Sequence, residues 1–308
     1  MLTAFVLGAG LGTRLRPITA RRPKPLIPVC NRPLIAHTFD RLLGLGVERL
    51  IVNTHWKAAR YAEFFPNAKY NGAELFFREE TPEILETAGG IWNVRNLLGD
   101  APFLVYNGDV LSDLPLAPAF AAHEKSGAEV TLVLRSSGGP LQVACDTATG
   151  RIADIGGRVD PAAAPRFLFT GIYIVEPRFI ARIPPGEKIS VIPIFCDMIR
   201  TGAPLRGVVI DEGNWWDLGT REQYLAVHRT LAGNHRSPIT DHRSPSIHPT
   251  AEITGATFIA PGAQVGAHAR LHDCVVWESA VIAASTQLDR CVVTDGVRVE
   301  GTHTDADF

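Results

Sequence analysis

The sequence predicts an α/β protein: a mostly parallel sheet with helices on both faces, followed by a short β-helix. Three observations predict it. Apolar runs alternate with amphipathic stretches from the N-terminus to about residue 230. A polar stretch with two prolines, Asn234–Ser246, then breaks the pattern. Beyond it, apolar residues recur every six positions. Strands alternating with helices favour parallel pairing, because each return lays a helix against the sheet. A period of six suits neither a helix nor a flat strand. It suits a β-helix, in which each short face returns one aliphatic side chain to the interior.

Taken in order, Leu2–Leu7, Arg49–Asn53, Ala73–Phe77, Phe103–Tyr106 and Glu129–Leu134 read as strands. Pro33–Leu43 and Ala117–Lys125 read as helices, the first ended by Gly44. In such sheets ligands sit beyond the carboxyl ends of the strands, which directs attention to the loops after Leu7 and Tyr106. In the C-terminal part Ile247, Ile253, Ile259, Val265 and Leu271 fall six apart, and Ala251, Ala263 and Ala269 follow three of them by four. The strict register fades after Leu271, yet Cys274-Val275-Val276 recurs as Cys291-Val292-Val293. This implies about three coils; the alternative is a β-sandwich with coincidental spacing. The division expected is 1–233 for the α/β domain, 234–246 for a linker and 247–308 for the coil.

With 46% apolar residues in 308, the chain has enough for a large core and too much for disorder. Lys plus Arg number 30 against 32 acidic residues, a net charge of -2, which argues against a protein that lives on nucleic acid or an anionic membrane. Five cysteines, none in C-x-x-C spacing, make neither a zinc site nor a disulfide framework. The N-terminus lacks a signal-peptide pattern, and no apolar run reaches the ~18 residues of a membrane span. The expectation is a reduced, cytoplasmic protein.

The first chemical signal is Gly8-Ala9-Gly10-Leu11-Gly12-Thr13-Arg14, directly after the first strand. Glycines there let backbone N–H groups approach phosphates. The dinucleotide fingerprint fails at Thr13, and the P-loop fails because Thr13-Arg14 stands where Gly-Lys is needed. Arg14, Arg16, Arg21, Arg22 and Lys24 then crowd into eleven residues, and Pro23 and Pro25 stiffen the backbone around Lys24. A phosphate anchor at Lys24 and a bidentate grip by Arg14 fit this pattern; a solvated basic loop is the alternative.

Gly8–Thr19 together with Pro23-Lys24-Pro25-Leu26-Ile27-Pro28-Val29 resembles the signature of the sugar-1-phosphate nucleotidylyltransferases. Asn107-Gly108-Asp109-Val110 resembles that family's metal-binding turn, Thr170-Gly171-Ile172-Tyr173 its sugar-side strand, and Gly213–Thr220 its G-x-W-x-D-x-G-T segment. The resemblance spans essentially the whole chain. It implies a Rossmann-like catalytic sheet, a C-terminal left-handed β-helix, and transfer of a nucleotidyl group from NTP to a sugar-1-phosphate with release of pyrophosphate. It implies Mg²⁺ held by Asp109 and Asp217, Arg14 on the leaving pyrophosphate, and Lys24 near the α- or sugar phosphate. Leu7, Gly8, Ala9, Gly10, Gly12, Thr13, Asn107 and Gly108 would line the nucleotide, with Thr170 and Gly171 on the sugar.

Leu85-Glu86-Thr87-Ala88-Gly89-Gly90 resembles the nucleobase loop, so Thr87, Ala88 and Gly89 would meet the base; Thr87 also suits a helix cap. Thr-Ala-Gly resembles the mannose-1-phosphate guanylyltransferases. Glu-Thr before two glycines, and Asn53-Thr54-His55-Trp56, resemble the N-acetylmuramate-1-phosphate uridylyltransferases, which are shorter. GTP is favoured over UTP. The family's Glu-Lys-Pro stretch is missing near Ile152–Arg158, leaving Arg158 or Arg166 to hold the sugar phosphate. His55, His123 and His228 lack ligand spacing and read as structural, and Trp215 and Trp216 serve packing or stacking equally well. His268 and His272 raise an acyltransferase reading, and a non-catalytic regulatory subunit is a third. The open ends of a coil favour homo-oligomers, through the β-helix or the catalytic domain.

Overall fold

The computed structural model describes residues 2–232 and 244–308. Residues 234–243 of the expected linker lie outside this description. The chain packs as two compact units: Met1–Leu11 with His37–Trp216, and Gly12–Ala36 with Asp217–Phe308. These packing units differ from the division at 233 and 247. The basic segment 12–36, early in sequence, groups with the C-terminal part.

In the first unit a ten-stranded sheet runs in the order Val143–Asp146, Arg151–Ile155, Leu205–Val209, Val130–Arg135, Arg166–Val175, Phe103–Asn107, Leu2–Leu7, Val47–Thr54, Ala73–Glu79, Lys69–Tyr70. The four strands from Phe103–Asn107 to Ala73–Glu79 are mutually parallel, as is Leu205–Val209 with Val130–Arg135. The expected mostly parallel sheet is nevertheless mixed. Arg166–Val175 runs antiparallel to both neighbours, and Val143–Asp146 is antiparallel to Arg151–Ile155. The reason lies in the connections. Between Ser126 and Val191 there is no α-helix, and strands joined without a crossover helix pair antiparallel.

Successive residues of a strand face opposite sides of a sheet. Thr3, Ala4, Phe5 and Val6 are all buried, so both faces of the central strand are covered. Phe5, Val105, Leu132 and Tyr173 share a core with Ala88 and Ile91 of the helix Glu86–Asn93 and with Phe195 and Met198 of Val191–Thr201. The helix Leu34–Gly44 ends one residue later than its sequence suggests. Gly44 is its last residue, and the left-handed backbone falls on Gly46, φ 82°, whose N–H donates to the Leu43 carbonyl at 2.9 Å.

The C-terminal part of the second unit is a coil of short parallel strands in three stacks. Its interior is filled by Ile259, Val265, Leu271, Val276, Ile282, Leu288, Val293 and Val299. The numbering explains the fading of the period. Steps of six drop to five between Leu271 and Val276 and again between Leu288 and Val293, so a full turn, Val265 to Ile282, takes 17 residues. The corners carry left-handed backbone at His268, Asp273, Ser279, Ser285 and Arg290. Cys274 and Cys291, one turn apart, are fully buried core residues of the coil, and all five cysteines are free. No helix among the described residues is long and apolar enough to cross a membrane.

Candidate active site

Parallel register brings a row of strand ends together in the first unit. Leu7 pairs with Asn107 on one side and Asn53 on the other, and Thr54 pairs with Glu79. Gly8, Gly108-Asp109 and Glu80 therefore leave the sheet at its carboxyl edge, where α/β sheets bind ligands. The turns there are close-packed. A Cβ on Gly108 would lie 2.7 Å from the Leu7 carbonyl oxygen, and one on Gly8 2.8 Å from that of Asn53, so neither position tolerates a side chain. Asp109 is partly exposed at the strand end.

Beneath the glycine loop lies a buried polar network. The Gly8 N–H donates to Asn53 Oδ1 at 2.7 Å, and Asn53 Nδ2 donates to Glu80 Oε1 at 2.7 Å. Glu80 Oε2 accepts the Leu85 N–H at 2.7 Å, and Tyr61 Oη donates to the Gly8 carbonyl at 3.1 Å. Asn53 and Glu80 are 2% and 1% exposed, so each hydrogen bond is needed to offset desolvation. Burial pushes the Glu80 carboxyl above its ordinary range, against the hydrogen bonds from Asn53 and Leu85 and the nearby His55, which pull it down. This relay ties the glycine loop to the turn at Leu85. In the sequence Asn53 opens the segment Asn53-Thr54-His55-Trp56 noted for its family resemblance and ends the apolar run Leu50-Ile51-Val52, but neither signal gave it this role. Nothing in the sequence marked Glu80.

The turn itself is bound to the chain at 187–191. The N–H groups of Ala88 and Gly89 donate to the Ile189 carbonyl at 2.9 and 3.0 Å, and the Val191 N–H donates to Thr87 Oγ1 at 2.8 Å. These are the unpaired donors of a helix N-terminus, satisfied by a distant carbonyl. Thr87 is inside the helix Glu86–Asn93 and does not cap it; Leu85 holds the cap position without a side-chain bond.

On the other side of Asn107, Thr170 and Gly171 interrupt the pairing of Arg166–Val175 with Val130–Arg135. Gly171 has φ +76°, and a Cβ there would strike Asn107 Nδ2 at 2.4 Å. Thr170 Oγ1 donates to the Val133 carbonyl at 2.8 Å, and Trp215 Nε1 donates to the Thr170 carbonyl at 3.0 Å. Trp215 thus acts as a strut for this strand. Arg158 is exposed, and its carbonyl accepts from Arg200. Arg166 is committed elsewhere, to Asp154 at 2.9 Å and to the carbonyls of Gln142, Asp160 and Pro161. Although burial raises Asp154, donors from Val159, Gly157 and Asp160 and the Arg166 guanidinium outweigh it, and the carboxyl is pulled down to about 2.

The second unit brings three of the sequence candidates together. Gly12, φ +60°, packs against Lys24 and Thr19, and Thr19 Oγ1 donates to the Gly12 carbonyl at 2.7 Å. Lys24 begins a single 3-10 turn, Lys24–Leu26, and is only 6% exposed. Its Nζ lies 3.5 Å from Asp217 Oδ1. The Arg14 guanidinium lies over Gly219, 3.3 Å from where a Cβ would stand. Arg14 and Thr13 are exposed on the turn Thr13–Leu15. Arg22, by contrast, is buried, and even the exposed Arg21 is tied down rather than left in a free basic loop. Arg21 bonds to Asp295 and Arg22 to Glu278 of the coil.

The histidines are structural by geometry. His228 Nδ1 pairs with the Tyr224 carbonyl at 2.8 Å, leaving Nε2 to accept the Cys30 N–H at 3.2 Å. His123 pairs with Thr131 Oγ1, and burial lowers its pKa against the pull of Glu176. Among the described residues no three His, Cys, Asp or Glu side chains cluster as a metal site. Single carboxylates such as Asp109 and Asp217 suit a hard cation that keeps waters and substrate phosphates as its other ligands.

A family profile for nucleotidyl transferases matches residues 3–234. The chain belongs to the nucleotidyl transferase family. A mannose-1-phosphate guanylyltransferase of Mycobacterium tuberculosis is 32% identical over 96% of this chain and 81% of its own. An N-acetylmuramate alpha-1-phosphate uridylyltransferase of Neisseria meningitidis is 30% identical, over 71% of this chain and 94% of its own. A UDP-glucose pyrophosphorylase from Acinetobacter baumanii has the same fold, with a TM-score of 0.67 at 17% identity, over 77% of this chain and 95% of that one. The nucleotidyl transferase match covers the glycine loop, Lys24, Asp109 and Asp217 together.

Proposed function

We propose that this nucleotidyl transferase is a mannose-1-phosphate guanylyltransferase, joining GTP and mannose-1-phosphate into GDP-mannose and pyrophosphate. The observation that carries the reaction type is the placement of two cations, Arg14 and Lys24, in one unit with the Asp217 carboxylate, within a chain of net charge -2. The choice of substrates rests on the Mycobacterium tuberculosis relative, whose similarity runs through the coil as well as the sheet.

In this reaction an oxygen of the sugar phosphate attacks the α-phosphorus. A new P–O bond forms, the bond to the β-phosphate bridging oxygen breaks, and pyrophosphate leaves. The nucleophile is already ionised at neutral pH, so no general base is needed. The protein's task is to bring two anions together and to stabilise charge on the transferring and departing groups. We assign Lys24 to the α- or sugar phosphate and Arg14 to the departing pyrophosphate. Gly8, Ala9, Gly10, Gly12 and Thr13 offer backbone donors to the nucleotide, and Leu7, Asn107 and Gly108 line it. The base would meet the turn Leu85–Gly90 by its shape, since the N–H groups of Ala88 and Gly89 are already bonded to Ile189. Thr170 and Gly171 would meet the sugar, with Arg158 as the remaining arginine for its phosphate. Bound Mg²⁺ would neutralise phosphate oxygens as a Lewis acid; Asp109 and Asp217 are the carboxylates assigned to it. A Rossmann-like description of the sheet and a left-handed coil belong to the same reading.

Pyrophosphate release with mannose-1-phosphate and each NTP in turn, with and without Mg²⁺, tests this. GTP-specific, Mg²⁺-dependent turnover, abolished by Asp109→Asn in a protein of unchanged melting temperature, is the expected result. Turnover with UTP alone favours the second reading, an N-acetylmuramate-1-phosphate uridylyltransferase, in line with the Neisseria relative. Near-wild-type turnover in Asp109→Asn refutes the role given to Asp109.

A further inference from the structure

We propose that Trp277 and Glu278, a corner of the C-terminal coil, position Lys24 by clamping Arg22, so that the coil serves catalysis directly. The proposal rests on the nucleotidyl-transfer reading and concerns residues of the second unit alone.

The peptide that carries Lys24 is held on both sides of it. Upstream, Arg22 is 3% exposed, donates to Glu278 Oε2 at 3.0 Å, and stacks with its guanidinium carbon 4.7 Å from the Trp277 ring centroid. Asp295 Oδ1 is 3.9 Å away on a following corner. Downstream, Tyr224 Oη donates to the Pro28 carbonyl at 2.5 Å and accepts from Trp277 Nε1 at 3.2 Å. The Cys30 N–H donates to His228, and Asn31 Nδ2 to the Ile259 carbonyl at 3.1 Å. Trp277 thus touches both clamps, stacking on Arg22 and bonding to the tyrosine that holds Pro28.

Lys24 needs such support. A buried ammonium on a flexible four-carbon stem holds its place only as well as its backbone does. Its 3-10 turn is three residues long and has no side-chain cap. A buried arginine that loses the nearer of its two carboxylates keeps its charge with less to offset it and shifts towards water, taking its neighbours with it. Arg22 is two residues from Lys24, so that movement reaches the 3-10 turn first. Glu278 and Trp277 touch no assigned substrate group; theirs is a positioning role.

The test is Glu278→Gln, which keeps the shape and removes the charge, with Glu278→Asp as the conservative variant. Glu278→Gln is expected to lower kcat about ten-fold or more with KM for the nucleotide within about two-fold. Glu278→Asp should recover part of that loss. Placed on Lys24→Ala, Glu278→Gln should cause no further loss, because two residues acting through one group are not additive. Hydrogen exchange at residues 22–30 should quicken in Glu278→Gln whether or not the protein turns over substrate, while the coil interior keeps its protection. If the wild type shows no turnover with any NTP, the proposed function fails, and the exchange measurement still decides the clamp. If Glu278→Gln fails to melt cooperatively, Asp295→Asn weakens the same charge from farther away, 3.9 Å against 3.0 Å, and should give a smaller loss of kcat. The proposal is overturned by unchanged exchange at 22–30, by wild-type kcat in these variants, or by a full loss on the Lys24→Ala background.

Discussion

Replacing Asn53 by Asp changes one atom type in the buried relay and should make stability steeply dependent on pH. Asn53 Nδ2 donates to Glu80 Oε1 across 2.7 Å. In Asn53→Asp an oxygen takes the place of that nitrogen, while Oδ1 still accepts the Gly8 N–H. Two carboxyl groups at this separation share one proton, because both cannot ionise. At an effective dielectric constant of about 20, two charges so close repel by about 6 kcal/mol, an upper bound on the penalty. The folded variant therefore retains a proton that the unfolded chain gives up near its ordinary carboxylate range. A folded-state pKa raised in this way leaves stability intact in acid and removes it as pH rises, by about 1.4 kcal/mol per pH unit. Glu80 is already shifted upward in the wild type, so the variant extends the same window to higher pH. Urea denaturation of both proteins should give similar stability near pH 4.5 and a gap of about 4 kcal/mol near pH 7.5. A gap that is constant across this range would refute the shared-proton argument and the structural role given to the pair.

Asp154→Asn acts in the opposite sense. The Asp154 carboxyl is held down to about 2, so the wild type carries stability that is present above about pH 4 and lost as pH falls towards 2, on the order of 2 kcal/mol. The variant should lack that acid-range loss and be less stable at neutral pH, measured by thermal melts from pH 2 to 7. In Gly8→Ala the new Cβ meets the Asn53 carbonyl oxygen at 2.8 Å and Tyr61 Oη at 3.0 Å. Because a backbone carbonyl cannot swing aside, the variant should lose about 1–3 kcal/mol and most of its turnover; Gly10→Ala, with nothing within 4 Å, should keep its stability.

The parts of the fold legible in the sequence were those where one strand or one period carries its own signal. Leu2–Leu7 is a strand with the bounds expected, and Phe103–Asn107 extends its expected range by one residue. Both lie in the centre of the sheet, where burial on two faces writes an unbroken apolar run. The antiparallel half of the sheet was illegible because its strands, Val143–Asp146 and Arg151–Ile155, are short and pair across loops with no helix to mark the return. The fading of the six-residue period was visible but its cause was not. Dropping one residue at a corner leaves the core pattern intact in space while shifting it in number. At the candidate site, a glycine loop and a lysine between prolines announced themselves by composition. Glu80 did not, since a glutamate in Arg78-Glu79-Glu80 looks like surface until Asn53, in the next strand, is placed beside it. Arg22 was legible only as one cation of the basic run, for the same reason. Only the packing of a residue 256 positions away shows it paired.

That separation has a consequence for how the chain matures during synthesis. Every strand of the ten-stranded sheet lies within residues 2–209, so all of its pairing partners exist well before translation ends. The turn bearing Lys24 waits much longer. Between Arg22 and Glu278 the ribosome must add 256 residues, on the order of half a minute at ~5–20 residues per second. Until the last coils emerge, the buried arginine of the early basic segment lacks its Glu278 carboxylate and Trp277 ring. A nascent chain stalled or truncated before that point would hold every strand of the sheet while Arg22 still lacks its contacts with Trp277 and Glu278.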